Sequence, residues 1–151
     1  MAKTKRPGTV LALIVLTAVQ AAGAIAGGVG LVRDPVNNIG MPLSMLEGSP
    51  FGDYLVPGLV LLIVVGLFPL LPLYGLVRRR EWGWWLVVAS GGALVIWIIT
   101  EVALLGYLPG AGIGMQIAMG SLGIAILVLA QVRPTRRFFG IGTFSRLTLQ
   151  A

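Results

Sequence analysis

One carboxylate, Glu101, stands inside a long uncharged stretch of the chain, where a buried ionisable side chain is costly and commonly has a function. Such an acid can bridge helices through hydrogen bonds, hold a ligand or act on it as an acid, or relay a proton. Gln116 lies in the next apolar stretch, at a similar depth if the two stretches form a tight antiparallel hairpin. We therefore expect a hydrogen bond between Glu101 and Gln116.

Few other polar residues accompany this acid. Gln20 lies near the middle of the first apolar stretch, and Asp53 and Tyr54 lie at the start of the second. With Glu101 and Gln116, these three are the candidate ligand-binding residues. A bridge between helices is the favoured role of Glu101, and a proton relay is disfavoured because no second acid or base continues a path through the apolar stretches.

The residues absent from the sequence restrict its chemistry. The chain has no cysteine and no histidine, which excludes thiol nucleophiles, disulfides, zinc sites of the usual kind and histidine bases. No lysine lies in an apolar stretch, so a Schiff base cannot form there. We predict no catalytic residues, no metal and no cofactor, and the sequence favours a protein that is not an enzyme without excluding one.

Four continuous apolar stretches must position these side chains. Hydrophobic residues make up 57% of the chain and charged residues 11%, compared with about 25% charged residues in a soluble domain. The predicted spans are residues 9–32, 54–77, 82–107 and 112–132. Each is long enough to cross a hydrocarbon core of roughly 30 Å as a helix, which satisfies its own backbone polar groups. The sequence predicts an all-α, four-helix transmembrane bundle that forms a single membrane domain.

The basic residues orient this bundle. The net charge of +6 comes mainly from three segments, which precede the first span, join spans two and three, and follow span four. With four crossings these segments share one side, which the positive-inside rule makes cytoplasmic. We predict cytoplasmic termini, an outer loop between helices 1 and 2, a basic cytoplasmic tail over residues 133–151, and residence in the inner (plasma) membrane. The predicted contacts with anionic lipid, rather than nucleic acid, are Arg78, Arg79, Arg80, Arg133, Arg136 and Arg137.

The first apolar stretch also resembles a secretory signal, because basic residues precede it and Ala22-Gly23-Ala24 resembles a cleavage site. A retained helix is favoured, since the uncharged stretch continues through Val32, beyond the usual length of a signal core.

Small residues predict where helices approach closely. Gly23 and Gly27 are four residues apart in the first span, and Gly110 and Gly114 have the same spacing at the start of the fourth. Glycines at this spacing allow close backbone contact in membranes. Packing within the chain is favoured over a dedicated homodimer surface.

The second span has its own local signals. Pro57, Pro69 and Pro72 predict bends in its axis, because each proline removes a helical hydrogen bond. Ser49 is the predicted N-cap, with Pro50 at the first helical position.

Part of the sequence resembles a family of small four-helix bacterial integral membrane proteins. The pattern is Asp34-Pro35…Gly40-Met-Pro-Leu43…Ser49-Pro-Phe51-x-Asp53-Tyr54-x-x-Pro57-Gly58, and Trp97-Ile-Ile-Thr-Glu101-Val also resembles the family. The resemblance covers the four spans but not the basic tail. It implies a fold and a bacterial origin but no activity, since that family is uncharacterised. The family more often has glutamine at the position of Glu101, which favours a bridging role there.

Three functions are consistent with these features. The leading hypothesis is a non-catalytic accessory or scaffold subunit, whose partners are membrane lipids and other subunits of a larger membrane assembly. The alternative is a binder or enzyme for a hydrophobic small molecule or lipid, with a pocket around Glu101. A small transporter or channel subunit is the third.

Overall fold

The computed structural model describes residues 5–36, 41–107 and 111–141, and this part of the chain is helical without a strand. Its elements are α1 (Gly8–Arg33), a short 3₁₀ helix (Leu43–Leu46), α2 (Leu55–Val60), a π-helical segment (Leu61–Leu67), α3 (Leu70–Val77), α4 (Glu81–Leu105), α5 (Ala111–Gln131) and α6 (Arg133–Phe138). The stretch from α2 to α3 is continuous and is called the second span below.

Four of the helical stretches are long and apolar enough to cross a membrane: Gly8–Arg33, Leu55–Val77, Glu81–Leu105 and Gly112–Gln131. Their outer faces are apolar as well, with Ile99, Ile117 and Val128 each more than half exposed. An exposed apolar surface of this extent is suited to lipid rather than water. The predicted all-helical fold with four helices long and apolar enough to span a membrane is confirmed, and these helices indicate a multi-pass membrane protein.

The four spans form a ring in which α1 contacts the second span and α5, and α4 contacts the same two neighbours. At one end, the guanidinium of Arg6 donates a hydrogen bond to the carbonyl of Val77 at 2.6 Å. The hydroxyl of Thr135 donates to that of Thr9 at 3.0 Å. The three basic segments therefore meet at the same end of the bundle, which we call the basic end.

The residues after α5 pack against this end. Thr135 is fully buried against α1, and Phe139 joins a core cluster with Leu13, Leu76 and Trp84. The first part of the predicted basic tail is therefore a packed helix, α6. Residues 142–151 of that tail lie outside the described residues.

The second span changes helix type beside a proline. Pro69 has no N–H to donate to the carbonyl of Val65, four residues earlier. The helix is wider just before it, over Leu61–Leu67, where the N–H of Phe68 bonds the carbonyl of Ile63 at 2.9 Å, five residues back.

The start of the second span differs from the prediction. The prediction of Ser49 as N-cap is wrong, because the helix begins at Leu55. The carboxylate of Asp53 accepts a hydrogen bond from the N–H of Leu55 at 2.9 Å, whereas the hydroxyl of Ser49 accepts one from the N–H of Phe51 at 3.3 Å. A serine followed by a proline is typical of turns as well as of helix starts. In this protein Ser49 and Pro50 form a turn before the helix.

Glycines bring α1 and the second span into backbone contact. A Cβ atom on Gly28 would lie 2.7 Å from the Cα of Leu62, and one on Gly66 would lie 3.0 Å from the backbone nitrogen of Ile25. Neither position has room for a larger residue, so these two helices are close along much of their length.

The second span and α4 are equally close, but only near the loop that joins them. A Cβ atom on Gly75 would lie 2.6 Å from the Cα of Gly83. Between α4 and α5 the close contact is near mid-length, where a Cβ on Gly123 would lie 3.3 Å from the carbonyl oxygen of Gly91. The second span and α4 thus meet at the basic end and leave space between them towards the other end.

We predict that Gly28→Ala lowers the thermal unfolding midpoint of the protein in lipid nanodiscs. The added methyl group would collide with the backbone of Leu62, and overpacking of this kind costs about 1–3 kcal/mol. Gly30→Ala is the matched control on the same helix, because no atom of another described element lies within 4 Å of the Cβ that it would add. Equal midpoints for the two variants would contradict the close contact.

Candidate ligand-binding cavity around Glu101

A hydrogen bond between Glu101 and Gln116 joins α4 to α5, as predicted for a tight antiparallel hairpin of these two helices. The side-chain amide of Gln116 donates to Oε1 of Glu101 at 3.0 Å and to the carbonyl of Gly106 at 3.3 Å. Gln116 is buried and Glu101 is partly buried. Gly106 ends α4 with φ +71°, a backbone conformation that favours glycine. The carboxylate is therefore held in one orientation by a neutral donor.

A cavity of about 420 Å³ lies between the second span and α4, with Glu101 in its wall. Its lining is almost entirely apolar: Val56, Val60 and Val64 come from the second span, and Ala93, Ile96 and Leu104 come from α4. Apart from the indole of Trp97, its polar side chains are Thr100 and Glu101. The cavity occupies the space left where these two helices separate.

Loop residues close this cavity at the end away from the basic end. Leu46, from the 3₁₀ helix, and Phe51 both line it there. The side of the cavity is less covered, since Val56 is 50% exposed and Ile96 is 65% exposed on the outer surface. In a membrane this side faces the hydrocarbon, so access is lateral, from lipid.

A second cavity of about 200 Å³ lies among the four spans. Gly23 and Gly27 line it from α1, and Met115, Gln116 and Met119 line it from α5. Val65, Trp97 and Glu101 line both cavities, so the carboxylate stands in the wall between the two.

Gln20 lies outside both cavities and joins three spans instead. It is fully buried, and its amide nitrogen donates to the carbonyl of Ser90 at 3.2 Å and, in a longer bond, to that of Val65 at 3.5 Å. The hydroxyl of Ser90 donates to the amide oxygen of Gln20 at 3.3 Å. Val65 lies in the π-helical segment four residues before Pro69, so the longer bond reaches the backbone of the irregular part of the second span.

Asp53 and Tyr54 do not line either cavity. Asp53 accepts a hydrogen bond from the N–H of Leu55, the first residue of the second span, and the hydroxyl of the buried Tyr54 donates to the carbonyl of Pro42 at 3.0 Å. Burial raises the pKa of the Tyr54 phenol, which lies just before the second span, above its ordinary value. These two residues fix the loop that closes the larger cavity.

The predicted lipid-binding arginines are exposed at the basic end: Arg78, Arg79, Arg80, Arg133, Arg136 and Arg137. Two of them also contact aromatic rings, at 5.4 Å from guanidinium carbon to ring centroid, with Arg78 over Tyr74 and Arg79 over Phe138.

The four glycines predicted to mediate packing have different surroundings. A Cβ atom added to Gly27 would lie 3.3 Å from Leu61, and one added to Gly23 would lie 3.8 Å from Met119. Around Gly114, no atom of another described element would lie within 4 Å of an added Cβ. Gly110 lies outside the described residues. In α1 the contact with the backbone of the second span is made by Gly28, which is not one of the two glycines, Gly23 and Gly27, that were predicted from their four-residue spacing.

Sequence reasoning missed Trp97 as a cavity residue and Ser90 as the partner of Gln20. Ser90 has a detectable signal, because it is a lone serine in an apolar stretch. Trp97 precedes Glu101 by four residues and so shares its helix face, which could have identified it.

Comparisons with protein-family models, with curated proteins and with solved structures give no match for this chain.

Within the described residues, no group of three histidine, cysteine or acidic side chains is placed to hold a metal ion.

We predict that Gln20→Leu destabilises the bundle by about 1–2 kcal/mol, because Ser90 and Val65 lose a buried hydrogen-bond partner. The measurement is reversible unfolding in mixed detergent micelles. Gln131→Leu, at an exposed position at the end of α5, is the control and should leave the unfolding free energy unchanged. A Gln20→Leu protein as stable as this control would contradict the bridging role.

Proposed function

We propose that this protein binds a hydrophobic small molecule or a lipid in the cavity beside Glu101. The observation that carries the proposal is an apolar cavity of about 420 Å³ with a single carboxylate in its wall. Ligand pockets commonly have volumes of about 300–1,000 Å³ and apolar linings with a few polar groups that orient the ligand. Both properties match this cavity.

The polar groups in the cavity wall suit binding rather than catalysis. The hydroxyl of Thr100 donates to the carbonyl of Ile96 in its own helix at 2.8 Å, and Glu101 is hydrogen-bonded to Gln116. In the described part of the cavity wall, the Thr100 hydroxyl and the Glu101 carboxylate are not hydrogen-bonded to each other, whereas an activated nucleophile requires a base within hydrogen-bond reach. The proposed role is therefore to hold or present the ligand without changing it covalently.

An accessory role in a larger membrane assembly is the second candidate. Gly30 on α1 and Gly114 on α5 lie towards the same end of two neighbouring helices, and neither has an atom within 4 Å of its would-be Cβ. Glycines without a close neighbour among the described residues would let a helix of another protein approach closely. Purification in gentle detergent tests this role, and isolation of the protein without any partner would count against it.

For orientation, we propose that the basic end faces the cytoplasm and that the protein resides in the plasma membrane of a bacterium. The exposed arginines at this end support the orientation, because positive side chains are enriched on the cytoplasmic side and attract anionic lipid. The bacterial assignment rests on the family resemblance alone.

We predict that Glu47→Cys reacts with a membrane-impermeant maleimide in intact spheroplasts, whereas Arg137→Cys reacts only after permeabilisation. The chain has no cysteine of its own, so each variant carries one thiol, and both positions are exposed. Labelling of Arg137→Cys from outside, with Glu47→Cys protected, would reverse the proposed orientation.

We predict that a long-chain alcohol bearing a diazirine photolabels the segments that line the larger cavity, and that Ala93→Phe abolishes this labelling. The phenyl ring would fill the inner end of the cavity, which Ala93 lines. Labelled peptides are identified by mass spectrometry of protein in nanodiscs.

Ala103→Phe is the matched control, because Ala103 is an exposed alanine of α4 outside the cavity wall. It should leave the labelling intact. Uniform labelling of all lipid-facing segments, insensitive to Ala93→Phe, would show that the cavity is not a binding site.

A further inference from the structure

We infer that the ligand of the larger cavity is an amphiphile with one cationic head group, an amine or a quaternary ammonium, bound against Glu101. This inference rests on the proposed function and adds the chemical class of the ligand. It depends on the charge, the aromatic neighbour and the depth of the carboxylate.

The charged group in the cavity wall is negative. Glu101 is the ionisable residue that lines the two cavities in the described part of the chain, and neither cavity is lined by an arginine or a lysine. The basic residues of the described part lie at the basic end, apart from Arg33 at the last position of α1. Among the described residues of these walls, no cationic side chain is available to neutralise the carboxylate.

A carboxylate in this setting is incompletely compensated. Gln116 supplies one neutral hydrogen bond, and that bond goes to Oε1. An ionised carboxylate in a low-dielectric site is costly unless a charge of opposite sign offsets its lost hydration. A cationic head group would supply that charge, whereas an anionic one would be repelled.

Trp97 strengthens the preference for a cation. It lies one helical turn before Glu101 on the same face of α4, and both residues line the two cavities. The face of an indole ring attracts ammonium groups, most strongly where water is excluded. A neutral hydroxyl head group could bond to Glu101 but would gain nothing from this electrostatic attraction.

The depth of these residues fits the shape of an amphiphile. Glu101 is four residues from Leu105, where α4 ends, which places it about 6 Å from that helix end. Ala93, at the inner end of the cavity, is about 12 Å deeper along the axis. A ligand that enters sideways from the bilayer would thus place its head group near the surface and its chain towards the bilayer centre.

The test compares three diazirine probes with the same alkyl chain and either a trimethylammonium, a hydroxyl or a sulfonate head group. The protein is reconstituted in uncharged phosphatidylcholine nanodiscs, and cavity labelling is measured against probe concentration. We expect the trimethylammonium probe to reach half-saturation at about a tenfold lower concentration than the hydroxyl probe, and the sulfonate probe to label least.

Glu101→Gln should remove this preference, so that the trimethylammonium and hydroxyl probes reach half-saturation at similar concentrations, because the variant loses the charge while glutamine keeps an acceptor for Gln116. Glu47→Gln is the control, since it removes an exposed negative charge from the loop without changing the cavity wall. It should leave the preference unchanged.

The outcomes separate the two proposals. Equal labelling by all three probes in the wild-type protein, abolished by Ala93→Phe, would overturn the cationic ligand and leave the proposed binding function standing. A cation preference that persists in Glu101→Gln would also overturn it. Cavity labelling by no probe would overturn the binding function itself.

Discussion

The hydrocarbon core of a membrane supplies no water to satisfy polar groups, and the centre of this bundle is organised by that constraint. The second span is irregular at its centre, where the π-helical segment Leu61–Leu67 precedes Pro69. From α1, the amide of Gln20 donates to the carbonyl of Ser90 in α4 and, in a longer bond, to that of Val65 in this segment, and its oxygen accepts from the hydroxyl of Ser90. One buried side chain therefore satisfies its own polar groups and joins three spans at the same depth.

The cavity follows from an uneven distribution of close contacts. Gly28 and Gly66 bring α1 and the second span together, whereas Gly75 and Gly83 bring the second span to α4 only beside their connecting loop. Between Gln20 and the end away from the basic end, the second span and α4 separate. Valine and isoleucine side chains line the gap between them without filling it. A ligand in this gap would leave the close contacts at the basic end unchanged, because it would occupy the part of the bundle where the second span and α4 are least tightly joined.

Some features follow from sequence because they depend on composition and depth alone. The four apolar stretches match the thickness of a bilayer, and the pairing of Glu101 with Gln116 follows from two polar residues at equal depth in a short hairpin. Other features depend on which faces of the helices meet. The four-residue glycine spacing marked Gly27, whereas the adjacent Gly28 makes the backbone contact, because the rotation of α1 about its axis is set by its neighbours.

By itself, the sequence determined that the chain forms four apolar helices and that its basic residues segregate towards one end, since hydropathy, length and charge order are properties of the linear chain. Only the tertiary structure decided that Gln20 joins three spans, that the second span begins at Leu55 beside Asp53 rather than at Ser49, and that a cavity opens next to Glu101. These depend on helix rotation and on the distance between helix axes. Both arise from the sum of many contacts between residues far apart in the chain, which no local pattern specifies.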